Sequence, residues 1–161
     1  MSRSGFLLAA LMAWPLMVAA GPAPTLTTAE VRKFMDQVTD ASRARDVGTL
    51  AKLLAPDCSI VLETDVNGAH QTTHLTRDQY VDLLEHGRAA LPDLTSYNYH
   101  SQILSLVLAP DALSATVTSA VVETVEYGGR RLVTTSTEET TVARIEGAIR
   151  IIAVSAHTTG H

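Results

Sequence analysis

The chain has 161 residues and a formal net charge of −5, with 46% hydrophobic and 18% charged residues. This composition is typical of one packed globular domain and excludes an intrinsically disordered chain. An acidic chain without a basic cluster argues against nucleic acid and anionic membranes as partners, so we predict neither. The single cysteine, Cys58, excludes an internal disulfide and is predicted to be a small core residue.

The first twenty residues have the pattern of a secretory signal peptide. Arg3 supplies a positive start, residues 6–18 form a mostly apolar run, and Ala19 and Ala20 are small residues suited to a cleavage site. The run is short for a membrane span. We predict that residues 1–20 are removed after Ala20 and that the mature protein is periplasmic or secreted; an uncleaved anchor is the alternative.

Helix signals follow the leader. Thr27 and Glu30 form a capping box, and apolar residues then recur at helical spacing to near Arg45. Asp46 can cap a second, short helix over residues 47–54. These signals predict two consecutive helices before the first strand.

A short hairpin and a third helix come next. Residues 58–63 predict a strand, Asn67-Gly68 a hairpin turn, and residues 70–74 the returning strand. Thr76 and Gln79 form another capping box, which starts a third helix that ends before Pro92.

The last third of the chain, residues 96–157, predicts four long strands joined by tight turns. The turns lie at Pro110-Asp111, Gly128-Gly129 and Glu146-Gly147. The order of elements predicts an α+β single domain over residues 27–157, with the helices packed on one side of a curved sheet.

The turns also predict which side chains share a face of the sheet. If each turn has two central residues and no bulge interrupts a strand, cross-strand rows follow from the two-residue period. The predicted inner rows are Leu106, Ala115, Val142 and Ile151; Leu104, Val117, Thr140 and Ala153; Gln102, Ser119, Glu138 and Ser155; and His100, Val121, Ser136 and His157. This face grades from apolar to polar, as small-molecule pockets do. The opposite face, rich in threonine and containing Tyr97 and Tyr99, is assigned to solvent or a partner subunit; a bulge would invert both assignments.

Glu138 is the strongest catalytic candidate, because a carboxylate in the middle of a strand is costly to bury without a purpose or partner. A bulge would place Glu139 inside in its stead. His100 and His157 are further acid or base candidates, and Glu123 is expected near the pocket mouth as a solvated residue. The predicted ligand-binding residues are Gln102, Ser119, Ser155, Val121, Leu104 and Tyr80.

Neither a cofactor nor a metal ion is predicted. The chain has no glycine-rich phosphate loop. His70 and His74 are four residues apart, but in a strand they share a face without converging on one ion as a helical pair would.

Two segments carry a resemblance to a known family. The stretch DVGTLAKLLAPD at residues 46–57, leading into the first strand, and VARIEGAIRI at residues 142–151 resemble the nuclear-transport-factor-2-like superfamily. Within it, the chain looks most similar to the SnoaL-like and ketosteroid-isomerase-like groups.

This resemblance implies a cystatin-like cone, in which a curved, mixed, mainly antiparallel sheet wraps three helices around an internal pocket. It also implies a homodimer through the outer sheet face. Where such proteins are catalytic, a pocket carboxylate acts as base and a hydrogen-bond donor stabilises the developing oxyanion. The first helix of this chain contains no tyrosine that could be that donor.

Two hypotheses for the function remain. The first is an exported protein that binds a small, largely apolar ligand and catalyses an isomerisation, cyclisation or dehydration. Glu138 would be base or acid, with His100 or His157 as its partner. The second is a non-catalytic periplasmic interaction, accessory or immunity module whose pocket is filled by side chains. An open cavity of about 300–1,000 Å³ favours the first hypothesis.

Overall fold

A computed structural model of the protein describes residues 25–66, 69–91 and 94–160. The predicted signal peptide, the Asn67-Gly68 turn and Pro92 lie outside the described residues. No helix within these ranges is both long and apolar enough to cross a membrane.

Three helices form at the predicted capping signals. Thr27 caps α1 with a complete capping box, Asp46 caps α2, and Thr76 caps α3 with a second box. The helices are α1 (Thr28–Arg43), α2 (Val47–Leu53) and α3 (Arg77–Ala89).

The six strands form one sheet, which is mixed and mainly antiparallel. The strands are β1 (Leu54–Val66), β2 (Ala69–Thr76), β3 (Leu94–Leu108), β4 (Ser114–Tyr127), β5 (Arg130–Ile145) and β6 (Ala148–Gly160). Their order is β2-β1-β6-β5-β4-β3, and β1 pairs with β6 in parallel while the other neighbours are antiparallel. The predicted α+β class with a curved, mixed sheet and three helices is confirmed.

The core lies between the helices and the inner face of the sheet. Val31, Phe34 and Met35 on one side of α1 pack into the same buried cluster as Val117 of β4 and Ile60 of β1. Cys58 belongs to this cluster, and burial raises the pKa of its thiol to about 11. The thiol is therefore protonated at neutral pH, in agreement with the predicted core role.

Two of the three turns in the last third have the predicted register. Tyr127 pairs with Arg130, and Ile145 pairs with Ala148. The prediction of a two-residue turn at Pro110-Asp111 is wrong, because β3 ends at Leu108 and β4 begins only at Ser114.

The longer loop between β3 and β4 has its own hydrogen bonds. Ala112 adopts a positive φ of 54°, and its N–H donates to the Ala109 carbonyl. The Asp111 carboxylate accepts from the Leu113 N–H at 2.9 Å. Leu108 therefore faces Ala115, two residues away from the predicted pairing. A shift of two preserves the face of every side chain, so the loop alone moves no residue across the sheet.

Two irregularities in the ladder do move residues across the sheet. One lies in β3 between Ile103 and Ser105, and the other lies where β6 passes from Ile151 to Ala153 opposite β5. Each leaves one extra residue, Leu104 or Ile152, and reverses the faces beyond it.

Several predicted inner residues therefore lie on the outer face. They are Leu104, Gln102 and His100 of β3, and Ala153, Ser155 and His157 of β6. Leu104 is 57% exposed. Conversely, Tyr97, Tyr99 and Ile103 of β3 and Val154 of β6, which the regular ladder placed outside, lie on the inner face. The predicted pairing between β4 and β5 is confirmed, and Ser119 lies opposite Glu138.

Candidate functional site

A cavity of about 370 Å³ lies between the three helices and the inner face of the sheet. Its volume falls within the range of ligand-binding pockets. The apolar part of its wall consists of Val38, Val47, Leu50, Leu54, Leu83, Leu84, Leu91, Val125, Ile151 and Val154. The polar groups on the wall are Ser42, Arg45, Tyr80, Arg88, Tyr97, Tyr99, Glu123, Glu138 and Thr140.

Glu138 lies on the pocket wall in the middle of β5. Its cross-strand neighbours are Ser119 of β4 and Ala156 of β6, and its Oε1 accepts a hydrogen bond from Ser136 Oγ at 3.3 Å. Burial raises the pKa of the Glu138 carboxyl, the Ser136 hydrogen bond opposes that rise, and the Glu123 charge adds to it. Glu139 is exposed on the outer face. The structure thus places Glu138, and not its neighbour, in the pocket.

Three tyrosines line the same cavity. Tyr80 of α3 is at the wall, as the sequence suggested, and burial raises its pKa to about 12. Tyr97 and Tyr99 of β3 join it because of the bulge at Leu104, and burial also raises the pKa of each hydroxyl. All three hydroxyls therefore stay protonated at neutral pH and can donate hydrogen bonds.

Of the remaining charged groups of the cavity, Arg45 and Arg88 were not predicted, whereas Glu123 was expected near the pocket mouth as a solvated residue. Arg45, in the short connection between α1 and α2, lies over the Tyr97 ring with its guanidinium carbon 5.3 Å from the ring centroid. Arg88 comes from the last turn of α3, and Glu123 from β4. Arg45 adopts a positive φ of 52°, which the sequence does not signal at a non-glycine residue.

Two predicted ligand-binding residues, Ser119 and Val121, are on the inner face as expected. Both are buried, but neither lines the cavity. Ser119 Oγ has no hydrogen-bond partner among the described residues. These side chains therefore pack beside the pocket wall, next to Glu138.

The other predicted site residues are remote from the pocket. His100, Gln102, Leu104 and Ser155 are exposed on the outer face, because the two bulges reverse their strands. They cannot contact a ligand in the cavity, so His100 cannot be the partner of Glu138.

His157 is also on the outer face, where it belongs to a small polar cluster. Its Nε2 is 2.7 Å from Asp65 Oδ2, and His70 Nδ1 is 2.9 Å from Asp65 Oδ1. These two hydrogen bonds lower the pKa of the Asp65 carboxyl. The cluster joins β6, β1 and β2 at one end of the sheet. His157 therefore has a structural role as a hydrogen-bond partner of Asp65. Over residues 25–66, 69–91 and 94–160, no group of three or more His, Cys, Asp or Glu side chains is arranged to hold a metal ion.

Comparison with protein-family models and with curated protein sequences finds no match. Comparison with solved structures finds similar folds. A putative scytalone dehydratase from Novosphingobium aromaticivorans is 18% identical, with 80% of this chain and 81% of that chain covered and a TM-score of 0.61. An NTF2-like protein with a cystatin-like fold from the same organism is 16% identical, with 80% and 79% covered and a TM-score of 0.60.

The chain has the NTF2-like fold. A ketosteroid isomerase-like protein from Erwinia carotovora atroseptica is also similar, at 15% identity, with 82% of this chain and 94% of that chain covered and a TM-score of 0.59. The NTF2-like, cystatin-like fold that the resemblance implied is thereby confirmed. At these identities the NTF2-like fold does not specify a reaction, so the function is argued from the pocket.

Proposed function

We propose that the protein binds a small, largely apolar molecule in the 370 Å³ cavity and catalyses a proton transfer there, with Glu138 as the general base. One observation carries this proposal. Burial raises the pKa of the Glu138 carboxyl on the wall of a largely apolar cavity that also holds three protonated tyrosines. Export of the protein stays a prediction from its leader sequence.

The chemistry follows from these groups. A carboxylate whose pKa is raised by burial is a stronger base than a solvated one. It would remove a proton from a carbon next to a carbonyl, and the negative charge that develops on the oxygen would accept a hydrogen bond from a tyrosine O–H. Tyr99 and Tyr80 are near enough for the Glu138 charge to raise their pKa.

This step is shared by isomerisation, cyclisation and dehydration. The names of two similar structures, a putative scytalone dehydratase and a ketosteroid isomerase-like protein, match two of these classes. The tyrosines take the partner role that the sequence assigned to His100 or His157. The open cavity supports a binding function over an interaction module with a filled pocket.

The proposal can be tested with 5-nitrobenzisoxazole, a small aromatic substrate for base catalysis. A base removes the proton on C3, the ring N–O bond breaks, and the coloured product is 2-cyano-4-nitrophenolate. We expect the protein to accelerate this reaction far above acetate at an equal carboxylate concentration, since the pocket orients and desolvates the base. A rate equal to that of acetate would contradict a general base in the cavity.

We also propose that the chain forms a homodimer through the outer face of the sheet. Leu104 and Val107 of β3 and Val122 of β4 are exposed there, at 57%, 62% and 39%. These side chains are spread along the two strands, and a partner sheet laid over the outer face would cover all three.

Sedimentation equilibrium tests the dimer. We expect a dimer at micromolar concentration and a monomer after Val122→Arg, because a charge would be buried in the interface. Glu85→Arg, at an exposed position of α3 on the helical side of the sheet, should remain a dimer. A wild-type monomer at high micromolar concentration would contradict this interface.

A further inference from the structure

We propose that the ligand is an amphipathic acid, with a carboxylate held by Arg45 and Arg88 and an apolar skeleton in the rest of the cavity. This inference rests on the proposed binding function and specifies the class of molecule that the pocket selects. It refines the prediction of a simply apolar ligand.

Both arginines belong to the cavity wall, and one is held in place. Arg45 is partly buried and lies over the Tyr97 ring at 5.3 Å, a contact that restricts its guanidinium. Arg88 is exposed in the last turn of α3 and lines the same cavity, as do the apolar side chains of Leu84 and Leu91. Two cations from different elements therefore border one apolar space.

Among the residues that the structure describes, neither guanidinium forms an ion pair with a carboxylate. Other arginines are engaged in ion pairs: Arg43 with Asp40, Arg77 with Asp78, Arg131 with Glu126 and Arg144 with Glu30. Within the described residues, neither Arg45 nor Arg88 forms such a pair, even though Glu123 lines the same cavity. A ligand carboxylate could accept hydrogen bonds from a guanidinium in the bidentate geometry that arginine favours.

The Glu138 carboxylate requires the ligand carboxylate to bind at Arg45 and Arg88 and not next to Glu138. On the cavity wall, Leu54 and Ile151 are buried and Glu138 is half-buried, whereas Arg88 is exposed. A ligand carboxylate near Glu138 would repel its ionised form. With its carboxylate at the arginines, the ligand would instead place its uncharged carbon atoms near the base.

The test is calorimetric titration with 2-naphthoate and 2-naphthylmethanol, which share one ring system and differ in charge. We expect the wild-type protein to bind the carboxylate about tenfold more tightly than the alcohol. Arg45→Gln and Arg88→Gln should each lose about tenfold in naphthoate affinity and leave naphthylmethanol unchanged. Arg32→Gln is the control, since Arg32 lines a groove between α1 and β3 outside the cavity.

Each other outcome is decisive. Equal affinity for the two compounds would overturn the anion site and leave the binding pocket intact. An equal loss of naphthoate affinity in Arg32→Gln would also overturn it, because the effect would come from overall charge. Failure of both compounds to bind up to their solubility limit would contradict this inference and the proposed function together. Circular dichroism of each variant confirms that the fold is retained.

Discussion

Glu138→Gln should lower the rate of 5-nitrobenzisoxazole turnover by about 10²–10⁴-fold, which is the usual contribution of a general base. The amide has nearly the same shape as the carboxylic acid but cannot accept the proton. Glu138 has one side-chain hydrogen bond, to Ser136, and takes part in no ion pair among the described residues. The loss should therefore be chemical and not a consequence of unfolding.

Glu139→Gln is the matched control for this experiment. Glu139 is the next residue of β5 and is exposed on the outer face, so the substitution changes the net charge equally without touching the cavity. It should retain full turnover. Equal rates in the two variants, whether both high or both low, would contradict the role of Glu138.

The stability of Glu138→Gln has a defined sign. Burial raises the pKa of Glu138 in the folded state, so folding favours its protonated form. In the wild type, the stability that comes from protonated Glu138 is fully present at a pH below its pKa in the unfolded state. It is lost as the pH rises through its pKa in the folded state. The variant should therefore melt at or above the wild-type temperature near pH 8, and the difference should shrink toward pH 4.

Phe34→Ala should cost about 3–5 kcal/mol of unfolding free energy, the usual loss for a buried aromatic side chain. Phe34 is 5% exposed on α1 and belongs to the core that holds the helix against the sheet. A typical domain has only about 5–15 kcal/mol of stability, so this one change should remove a large fraction of it. Urea denaturation of both proteins measures the difference.

Leu104→Ala is the control for the core substitution. In the Val122→Arg background, in which the proposed dimer does not form, we expect a change within about 0.5 kcal/mol, because the bulge in β3 leaves Leu104 57% exposed on the outer face. The regular ladder predicted from the turns would have placed Leu104 inside. A loss as large as that of Phe34→Ala would mean that the bulge is not present.

The sequence predicted the elements well because their ends carry local signals. The capping residues Thr27 and Thr76 start helices where they were expected. Gly128 and Gly129 both adopt positive φ, which a two-residue hairpin turn requires, so the register of β4 and β5 followed from the turn alone. Glu138 was placed in the pocket for this reason.

The bulges carry no comparable signal. On the N-terminal side of Leu104, Tyr97 and Tyr99 alternate along β3 with Asn98, His100 and Gln102. Side chains of both sets can lie either in a pocket or at the surface, so their sequence does not decide which set faces inward. The burial pattern of β3 therefore depends on tertiary contacts with α1 and on the cavity, which the strand sequence does not encode locally. The same holds for β6, where Ile152 is the extra residue. For this reason Tyr97 and Tyr99 were missed, whereas Arg45 was missed because the sequence does not signal its positive φ.

The most direct test of the account is the titration of Glu138 itself, followed by ¹³C NMR of the labelled glutamate side-chain carboxyls. Glu138→Gln identifies the resonance by its disappearance. The structure predicts that this carboxyl titrates above the ordinary glutamate value of 4.5, because it is buried in the cavity. Titration at or below 4.5 would show a solvated or paired carboxylate and would contradict the proposal that Glu138 is a pocket base.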